Sequence, residues 1–238
     1  MSLIHTRLVG RDTVAEGTVA FHFEKPAGFV FEPGQAIDLV LEAPGLADVD
    51  SRHAFTLACA PHEERLSITT RLRGSAFKRT LDALPVGATV GIDGPWGELV
   101  LDADTSRPSC LVAGGIGITP FISIVRDAAH RESTRQLLLV YSNRHPHDAA
   151  FLNELEIIAH QHPNIRLVAT MTQMDRRDGW LGETARLDAA FLQRVLEGYA
   201  SPIAYVAGPP AMVAAVTSAL VDAGVPRDDV RAEMFDGY

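Results

Sequence analysis

Hydrophobic and polar positions follow two different periods in the two halves of the chain. Before about residue 102, apolar and polar residues alternate in short runs separated by Gly and Pro, which predicts strands because side chains alternate between the two faces of a strand. These strands are predicted over 18–26, 31–42, 53–61 and 64–72, with a further pair within 87–101. A helix is predicted over 75–84. Short strands around one helix indicate a small antiparallel β-barrel.

Apolar strands and amphipathic helices alternate in the second half. Strands are predicted over 109–114, 136–142, 165–171, 202–207 and 230–235, and helices over 120–130, 148–160, 188–198 and 210–222. This alternation indicates a parallel sheet with crossover helices. The predicted fold class is therefore β plus α/β in two domains. An antiparallel β-barrel is expected over residues 1–102 and a parallel-sheet domain over 103–238, with a hinge in DADTSRP (102–108).

Composition and charge narrow the classes of function. The net charge of −9 disfavours nucleic-acid binding. No apolar run reaches the ~20 residues of a membrane helix, and MSLIHTRLVGRD lacks the apolar core of a signal peptide. A cytoplasmic protein without membrane insertion is therefore expected. Cys59 and Cys110 form no metal or iron–sulfur pattern. The histidines of RHPHD (144–148) and HQHP (160–163) have no helical pairing, so no metal site is expected.

A glycine-rich segment, LVAGGIGITPFISIV (111–125), is the first candidate for chemistry. It lies at the carboxyl end of the first predicted parallel strand, where such sheets bind ligands. Gly115 and Gly117 would let a ligand approach the backbone. Thr119 suits a helix N-cap and Pro120 the first helical position, so free N–H groups would face a phosphate. A tight turn without a ligand also fits, because the third glycine and the acidic residue of the dinucleotide fingerprint are absent.

Three more segments favour ligand binding. AGPPAMV (207–213) is a second glycine turn, after the fourth parallel strand. RLRGSAFKRTL (71–81) combines arginines with a helix start, which fits a phosphate site or a solvated basic face. SRHAFTLACAP (51–61) holds an arginine, an aromatic and a hydroxyl, and these groups can bind a flat ring and its polar edge. On its own pattern, Phe55 fits best as barrel core.

Taken in order, these segments resemble the ferredoxin–NADP reductase superfamily over almost the whole chain. The matching motifs are PGQ (33–35), R…FTL (52–57), GSAFK (74–78), GPWG (94–97), GGIGITP (114–120), AGPPAMV (207–213) and EMFDGY (233–238). The resemblance implies a flavin-binding barrel followed by a nicotinamide-nucleotide domain. It implies an FAD-dependent NAD(P)H oxidoreductase that transfers a hydride from NADH or NADPH to FAD. Electrons would then pass to a separate acceptor such as ferredoxin or flavodoxin.

The resemblance also assigns residues on the flavin side. Phe55 is similar to the aromatic that lies against the isoalloxazine, and Thr56 to the hydroxyl near flavin N5. Arg52 is similar to the phosphate-binding arginine, but the family usually spaces this motif as Arg-x-aromatic-Ser/Thr, and here His53 holds the expected position. Either residue could meet the phosphate, or the strand carries a bulge. The residues implied for the flavin diphosphate are Arg71, Gly74, Ser75, Ala76 and Phe77.

On the nucleotide side, the implied pyrophosphate loop consists of Gly115, Gly117, Thr119 and Pro120. The turn beside the nicotinamide is Gly208 and Pro209, and the segment that covers the flavin contributes Glu233 and Phe235. Thr56, Glu233 and Phe235 are the implied catalytic residues. Ala207 stands where the family often has a cysteine, so no thiol is expected in the hydride path.

The sequence gives one indication of whether the protein prefers NADH or NADPH. Thr172 and Gln173 stand where many NADP-preferring members have Ser-Arg, which weakens the case for a 2′-phosphate site. Arg144, Arg176 and Arg177 could still supply one.

A second class of function stays open, namely an electron-transfer subunit that is active only within a larger complex. Related subunits of that kind often carry a cysteine-rich iron–sulfur segment after the nucleotide domain. The sequence up to Tyr238 has none, so a stand-alone reductase is expected. A nucleotide-binding scaffold without flavin is the third alternative.

Overall fold

The first half of the chain forms an antiparallel barrel. The computed structural model describes residues 3–42, 51–174 and 179–235. The strands are β1 (Ile4–Ala15), β2 (Thr18–Glu24), β3 (Ala36–Val40), β4 (Arg52–Thr56), β5 (Arg65–Arg71) and β6 (Thr89–Trp96), and helix α1 (Ala76–Ala83) lies between β5 and β6. They are ordered β4-β3-β6-β1-β2-β5 in the sheet.

Contact between the two outer strands closes this sheet. Leu57, just after β4, forms an antiparallel bridge with Ile68 of β5, and the Ala58 N–H donates to the Ser67 carbonyl at 2.8 Å. Alternate side chains, Phe21 and Phe23 among them, fill the interior and are fully buried. Closure removes the exposed edges that an open antiparallel sheet would present.

The second half forms a parallel sheet covered by helices on both faces. Its strands are β7 (Ser109–Gly114), β8 (Leu137–Asn143), β9 (Ile165–Met171), β10 (Ile203–Gly208) and β11 (Val230–Met234). The helices are α2 (Thr119–His130), α3 (Leu152–Gln161), α4 (Ala189–Val195) and α5 (Pro210–Asp222). The sheet order is β11-β10-β7-β8-β9. The two architectures confirm the predicted fold class.

Each face of the parallel sheet has its own core. Leu111 of β7 packs with α2 and α3, whereas its neighbour Val112 packs with α4 and α5. Both faces are therefore apolar, which explains why these strands read as continuous hydrophobic runs. None of the described helices combines the length and apolarity that crossing a membrane requires.

Two element predictions are corrected in the barrel. Strand β1, Ile4–Ala15, was not predicted, although Thr6 and Leu8 are buried and alternate with exposed neighbours. Two register shifts against β2 interrupt that alternation further along the strand and hide its period. The segment 87–101 forms one strand, β6, and not a pair.

Two helix starts also differ from the sequence prediction. Helix α3 begins at Leu152 because a short 3₁₀ turn occupies 146–148 and Phe151 has a positive φ of 62°. Thr119 does not cap α2. A 3₁₀ turn over Gly115–Ile118 precedes it, and the Thr119 hydroxyl donates to the Ile116 carbonyl at 3.2 Å.

Helix α2 joins the barrel to the parallel sheet. The buried Ser123 hydroxyl donates to the Cys59 carbonyl at 2.6 Å, and the Arg126 guanidinium donates to the Ala58 carbonyl at 2.9 Å. Arg126 also forms two bonds to the Glu154 carboxylate, at 2.6 and 2.8 Å. Because paired carboxylate bonds fix the plane of a guanidinium, they orient the remaining donor towards the barrel.

We expect Ser123→Ala to lower the free energy of unfolding by about 1–3 kcal/mol, because it removes a buried donor from a carbonyl. Chemical denaturation measures the change. Thr105→Ala is the control, since Thr105 is exposed and should change stability little. Equal stability of the Ser123 variant and the wild-type protein would show that this contact does not hold the two sheets together.

Candidate active site

A cavity of about 250 Å³ lies where the barrel meets the carboxyl edge of the parallel sheet. The barrel lines it with Ala36, His53, Ala54, Phe55, Thr56, Thr69 and Trp96. The parallel-sheet half contributes Thr119, Glu233, Met234 and Phe235. The three residues implied as catalytic by sequence, Thr56, Glu233 and Phe235, therefore share one cavity.

Aromatic rings form the barrel wall of the cavity. The His53 ring stacks on Phe55 with 4.8 Å between centroids and 23° between planes. Phe77 of α1 completes the cluster at 5.8 Å from Phe55 and 5.5 Å from His53. Residues two apart on a strand share a face, which is why His53 and Phe55 lie together. Phe55 and Phe77 are buried in the barrel core, as the pattern of the sequence predicts for Phe55, and His53 is the half-buried ring of the cluster.

Arg52 lies on the opposite face of β4 and does not line the cavity. Its guanidinium bonds to Asp38 at 2.9 Å and Asp93 at 2.8 Å. These hydrogen bonds, the one to Asp93 first, raise the pKa of Arg52. Of the two alternatives that the sequence left open for the phosphate, the strand geometry brings His53, and not Arg52, to the aromatic cluster.

The two glycine turns pack against each other at the ends of β7 and β10. A Cβ added at Gly117 would lie 2.2 Å from the Ala207 carbonyl oxygen and 2.7 Å from the Gly208 Cα. Gly117 is thus required by the neighbouring backbone. Gly115 differs, because it has a positive φ of 55° and the Arg71 guanidinium lies 3.5 Å from where its Cβ would be. The Gly115 turn therefore faces the barrel, where Arg71 is in van der Waals contact with it.

Arg71 reaches from the end of β5 to the parallel sheet, where it also donates to the Asp148 carbonyl at 3.4 Å. It therefore stands at the meeting point of the barrel and the glycine turn. Beside it, the Ser75 hydroxyl caps α1 by accepting from the Lys78 N–H at 3.2 Å. Gly74 precedes the cap with a φ of 39°, and nothing lies within 4 Å of its Cβ position.

The start of α2 forms the floor between the two halves. Pro120 occupies its first turn, as predicted, and is buried. Gly208 turns with a φ of 153° against Gly114, and Pro209 caps helix α5. The two predicted turns therefore lie on adjacent strands and close the carboxyl edge of the sheet from two sides.

The described end of the chain crosses the cavity. The Phe235 N–H donates to the Gly208 carbonyl at 2.9 Å, which continues β11 past its last strand residue. Glu233 is half-buried, and burial raises the pKa of its carboxyl. The rest of the predicted EMFDGY segment, 236–238, lies outside the described residues.

Neither cysteine lines this cavity. Cys59 and Cys110 are fully buried, and burial raises their pKa values to about 11 and about 12. Both remain thiols at neutral pH. Ala207, at the position where the family often has a cysteine, pairs with Ala113 and Glu233 on the neighbouring strands.

The segments expected to select the nucleotide meet beyond β8 and β9. The Gln173 N–H donates to the Arg144 carbonyl at 3.0 Å, and the Thr172 N–H to the Asn143 carbonyl at 2.9 Å. Arg144 is exposed. Arg176 and Arg177, the other predicted cations, lie outside the described residues.

The RHPHD loop follows β8. His145, His147 and Asp148 place ligand atoms within 4.8 Å of one another. His145 and Asp148 already bond each other at 3.2 Å. The absence of a metal stays a prediction.

Two residues of the cavity wall, Trp96 and Thr69, received no role from the sequence, although one offers an indole ring and the other a hydroxyl. Trp96 is 41% exposed and lies at the end of β6. Its motif, GPWG, was recognised but gave the residue no role. Thr69 is buried within β5, where it stands between Ile68 and Thr70 and has no motif of its own.

Comparisons with known proteins agree with this architecture. The family model for the oxidoreductase NAD-binding domain matches residues 111–218. The chain is 32% identical over 224 residues to ferredoxin–NADP reductase B of Sorangium cellulosum, which covers 90% of each chain. It is 29% identical to the terephthalate 1,2-dioxygenase reductase component 2 of a Comamonas species, covering 86% of this chain but 59% of that relative. A Neisseria gonorrhoeae ferredoxin–NADP⁺ reductase, solved with FAD and NADP, superposes with a TM-score of 0.80 at 20% identity over the full length of both chains.

The fold and these relatives together define an oxidoreductase that uses a flavin and a nicotinamide nucleotide. The chain belongs to the ferredoxin–NADP reductase family and is an FAD-dependent NAD(P)H oxidoreductase. Its cofactors are FAD and a nicotinamide nucleotide, as the sequence motifs predict.

We expect Gly117→Ala to lower the free energy of unfolding by about 1–3 kcal/mol and to weaken nucleotide binding, because the added Cβ overpacks against the Ala207 turn. Urea unfolding and an NAD⁺ titration measure the two effects. Gly10→Ala is the control, because nothing lies within 4 Å of its Cβ position. Normal stability and nucleotide affinity in the Gly117 variant would contradict the backbone packing described above.

Proposed function

We propose that the cavity between the two halves is the place where a nicotinamide nucleotide reduces bound FAD, and that the electrons then leave for a separate protein acceptor. The observation that carries the proposal is the convergence of an aromatic wall, three threonine hydroxyls and a carboxyl at the edge of the glycine turns. In this proposal, residues 1–102 bind the flavin and residues 103–238 bind the nucleotide, as the sequence predicts.

The residues present fit a flavin. The stacked rings of His53 and Phe55 match a flat conjugated system. A buried hydroxyl on Thr69, for which the described part of the chain supplies no hydrogen-bond partner, matches its polar edge. Bound FAD supplies the capacity to accept a hydride and release electrons singly or in pairs.

Each protein group then has a role in binding and orientation. Phe55 supports the ring system, Thr56 donates a hydrogen bond to its polar edge, and His53 faces the phosphate. Gly74, Ser75, Ala76 and Phe77 at the start of α1, joined by Arg71, hold the diphosphate by backbone N–H groups and charge. Arg52 serves the barrel through its two carboxylate bonds, which replaces the phosphate role that the sequence suggested.

The nucleotide lies against the opposite wall. Gly115, Thr119 and Pro120 offer the turn and helix start to its diphosphate, while Gly208 and Pro209 lie beside the nicotinamide. Gly117 acts indirectly, because its missing side chain lets the two turns approach. Glu233 and Phe235 cover the ring system from the parallel-sheet side. No general base is required for hydride transfer, which depends on close and aligned approach of the two rings.

Discrimination between NADH and NADPH is modest in this proposal, with a slight preference for NADH. Thr172 and Gln173 carry no charge for a 2′-phosphate, and Arg144 beside them is the described cation that could bind one. We also propose a cytoplasmic location, as the sequence predicts.

The acceptor is proposed to be a ferredoxin, a flavodoxin or the oxygenase of a multicomponent system. The names of the Sorangium and Comamonas relatives support an acceptor on a separate protein. Trp96 and Met234, 41% and 54% exposed, mark an apolar rim of the cavity where such a protein can dock. The alternative is a subunit that is active only within a complex. Such a subunit would need its partner even for the reduction of FAD by the nicotinamide nucleotide.

Anaerobic spectroscopy tests the proposal. The purified protein should release FAD on heating, and its flavin absorption should bleach when NADH or NADPH is added without any other protein. Added ferredoxin or flavodoxin should restore the colour. Bleaching that requires a partner protein would favour the subunit alternative, and a protein that binds no flavin would overturn the proposal.

Replacing His53 and Arg52 separately tests the phosphate assignment. We expect His53→Ala to raise the dissociation constant of FAD about tenfold, because stacking and a phosphate contact are both lost. Arg52→Ala should change it less, since its guanidinium bonds to Asp38 and Asp93. Flavin fluorescence during titration of the flavin-free protein measures both constants. The reverse order of effects would return the phosphate role to Arg52.

Phe235→Ala should bind NAD⁺ about fivefold more tightly, because an aromatic that covers the ring competes with the nicotinamide by about 1 kcal/mol of stacking. Titration of the oxidised FAD-bound variant with NAD⁺ and NADP⁺ should show a larger perturbation of the flavin absorption bands at lower nucleotide concentration. Wild-type affinity and spectrum for both nucleotides would mean that Phe235 does not cover the flavin.

A further inference from the structure

A second cavity, the linker cavity, lies between the barrel, the segment that joins the two halves and helix α2. Its volume is about 360 Å³, and it shares no residue with the candidate active site. The polar residues that line it are Glu32, Thr105, Asp127, Arg131, Ser133 and Arg135. Its apolar wall includes Leu101, Ile124 and Ala128. Apolar walls with a few polar groups, at the junction of two units, are typical of small-molecule sites.

Arg135 is a buried cation on the wall of the linker cavity. The residue is 5% exposed. Its guanidinium donates to the Ser109 hydroxyl at 3.3 Å and to the Asp102 carbonyl at 2.5 Å. Both acceptors are neutral, and no carboxylate in the described part of the chain forms an ion pair with it. Because charged side chains are almost never fully buried unless they are paired, an anion that enters the cavity would be favoured.

The neighbouring carboxylates already have other partners. The Asp102 carboxylate is bound by Arg231, and Arg135 attracts it only at longer range. Asp127 pairs with Arg131 at 2.9 Å across one turn of α2. The charge of Arg135 therefore remains available to a ligand.

The guanidinium and the wall around it indicate the class of ligand. A guanidinium presents five N–H donors in a planar fork that matches a carboxylate, and the two bonds described above use two of them. Apolar side chains lie on the same wall. Glu32 and Asp127 also line the cavity, and their charges would repel a doubly charged anion such as phosphate. A monoanion with an apolar body fits best.

We propose that the linker cavity binds a small organic acid, whose carboxylate pairs with Arg135 and whose apolar body lies against Leu101, Ile124 and Ala128. The bound acid contacts the barrel, the linker and α2 at once. It is a ligand additional to FAD and the nicotinamide nucleotide.

Benzoate and octanoate are the probes, and benzamide is the uncharged counterpart of benzoate. Calorimetric titration of the FAD-bound protein should show one saturable site for at least one of the two acids, with a dissociation constant below about 10 mM. If benzoate binds, benzamide should bind about tenfold more weakly, because it cannot form the ion pair. Failure of both acids to saturate a site, or equal binding of benzoate and benzamide, would overturn the proposal.

Arg135→Gln should raise the dissociation constant of the acid about tenfold. Arg65→Gln is the matched control, since Arg65 is exposed and does not line the cavity. Should the Arg135 variant fail to fold, Ala128→Leu is measured in the same way, because the longer side chain occupies the cavity and leaves Arg135 in place. Unchanged affinity for the acid in the variant that is measured would overturn the proposal.

Competition separates the linker cavity from the nucleotide site. The acid should bind with the same affinity in the presence and absence of saturating NAD⁺. Displacement of the acid by NAD⁺ would place it at the nucleotide site, and the proposal would be wrong.

Discussion

Two hydrogen bonds from helix α2 to the barrel set the geometry on which the rest of the site depends. Ser123 and Arg126 both bind carbonyls of the segment that follows β4, at Cys59 and Ala58. That segment closes the barrel and directly follows Phe55 and Thr56, the last two residues of β4. The same helix begins at the glycine turn. One element therefore fixes the barrel wall of the cavity and the glycine turn relative to each other, and the proposed hydride transfer between two rings requires such a fixed arrangement.

The glycines show how backbone packing and ligand binding divide within one motif. Gly117 is constrained by the Ala207 carbonyl and Gly208 by Gly114, so these two glycines let the ends of β7 and β10 meet. Gly115 is constrained by its positive φ, and its Cβ position lies in contact with the Arg71 guanidinium. A single sequence motif thus joins two strands and places one turn against an arginine of the barrel.

Much of the fold could be predicted because its two hydrophobic periods are distinct. Period-two alternation gave the barrel, and alternating strands and helices gave the parallel sheet. Strand β1 was not predicted because its bulges interrupt the alternation of buried and exposed residues. A motif named Phe55 as a candidate residue, and the structure places it on the cavity wall. Thr69 has no motif, because its place on that wall depends on a pairing across the barrel seam that the chain order does not show. Which of Arg52 and His53 lies beside Phe55 likewise depends on the face of β4, which the strand register provides.

Direct hydride transfer from the nicotinamide to the flavin, across the cavity between the two halves, can be measured by single-turnover reduction of the FAD-bound protein. The reductant is NADH that carries deuterium at C4, on one prochiral face or the other. We expect flavin bleaching to slow with one of the two labelled forms and to keep its normal rate with the other, because the proposed cavity admits the nicotinamide in one orientation. Flavin that stays oxidised in the presence of excess NADH and NADPH would show that this transfer does not take place.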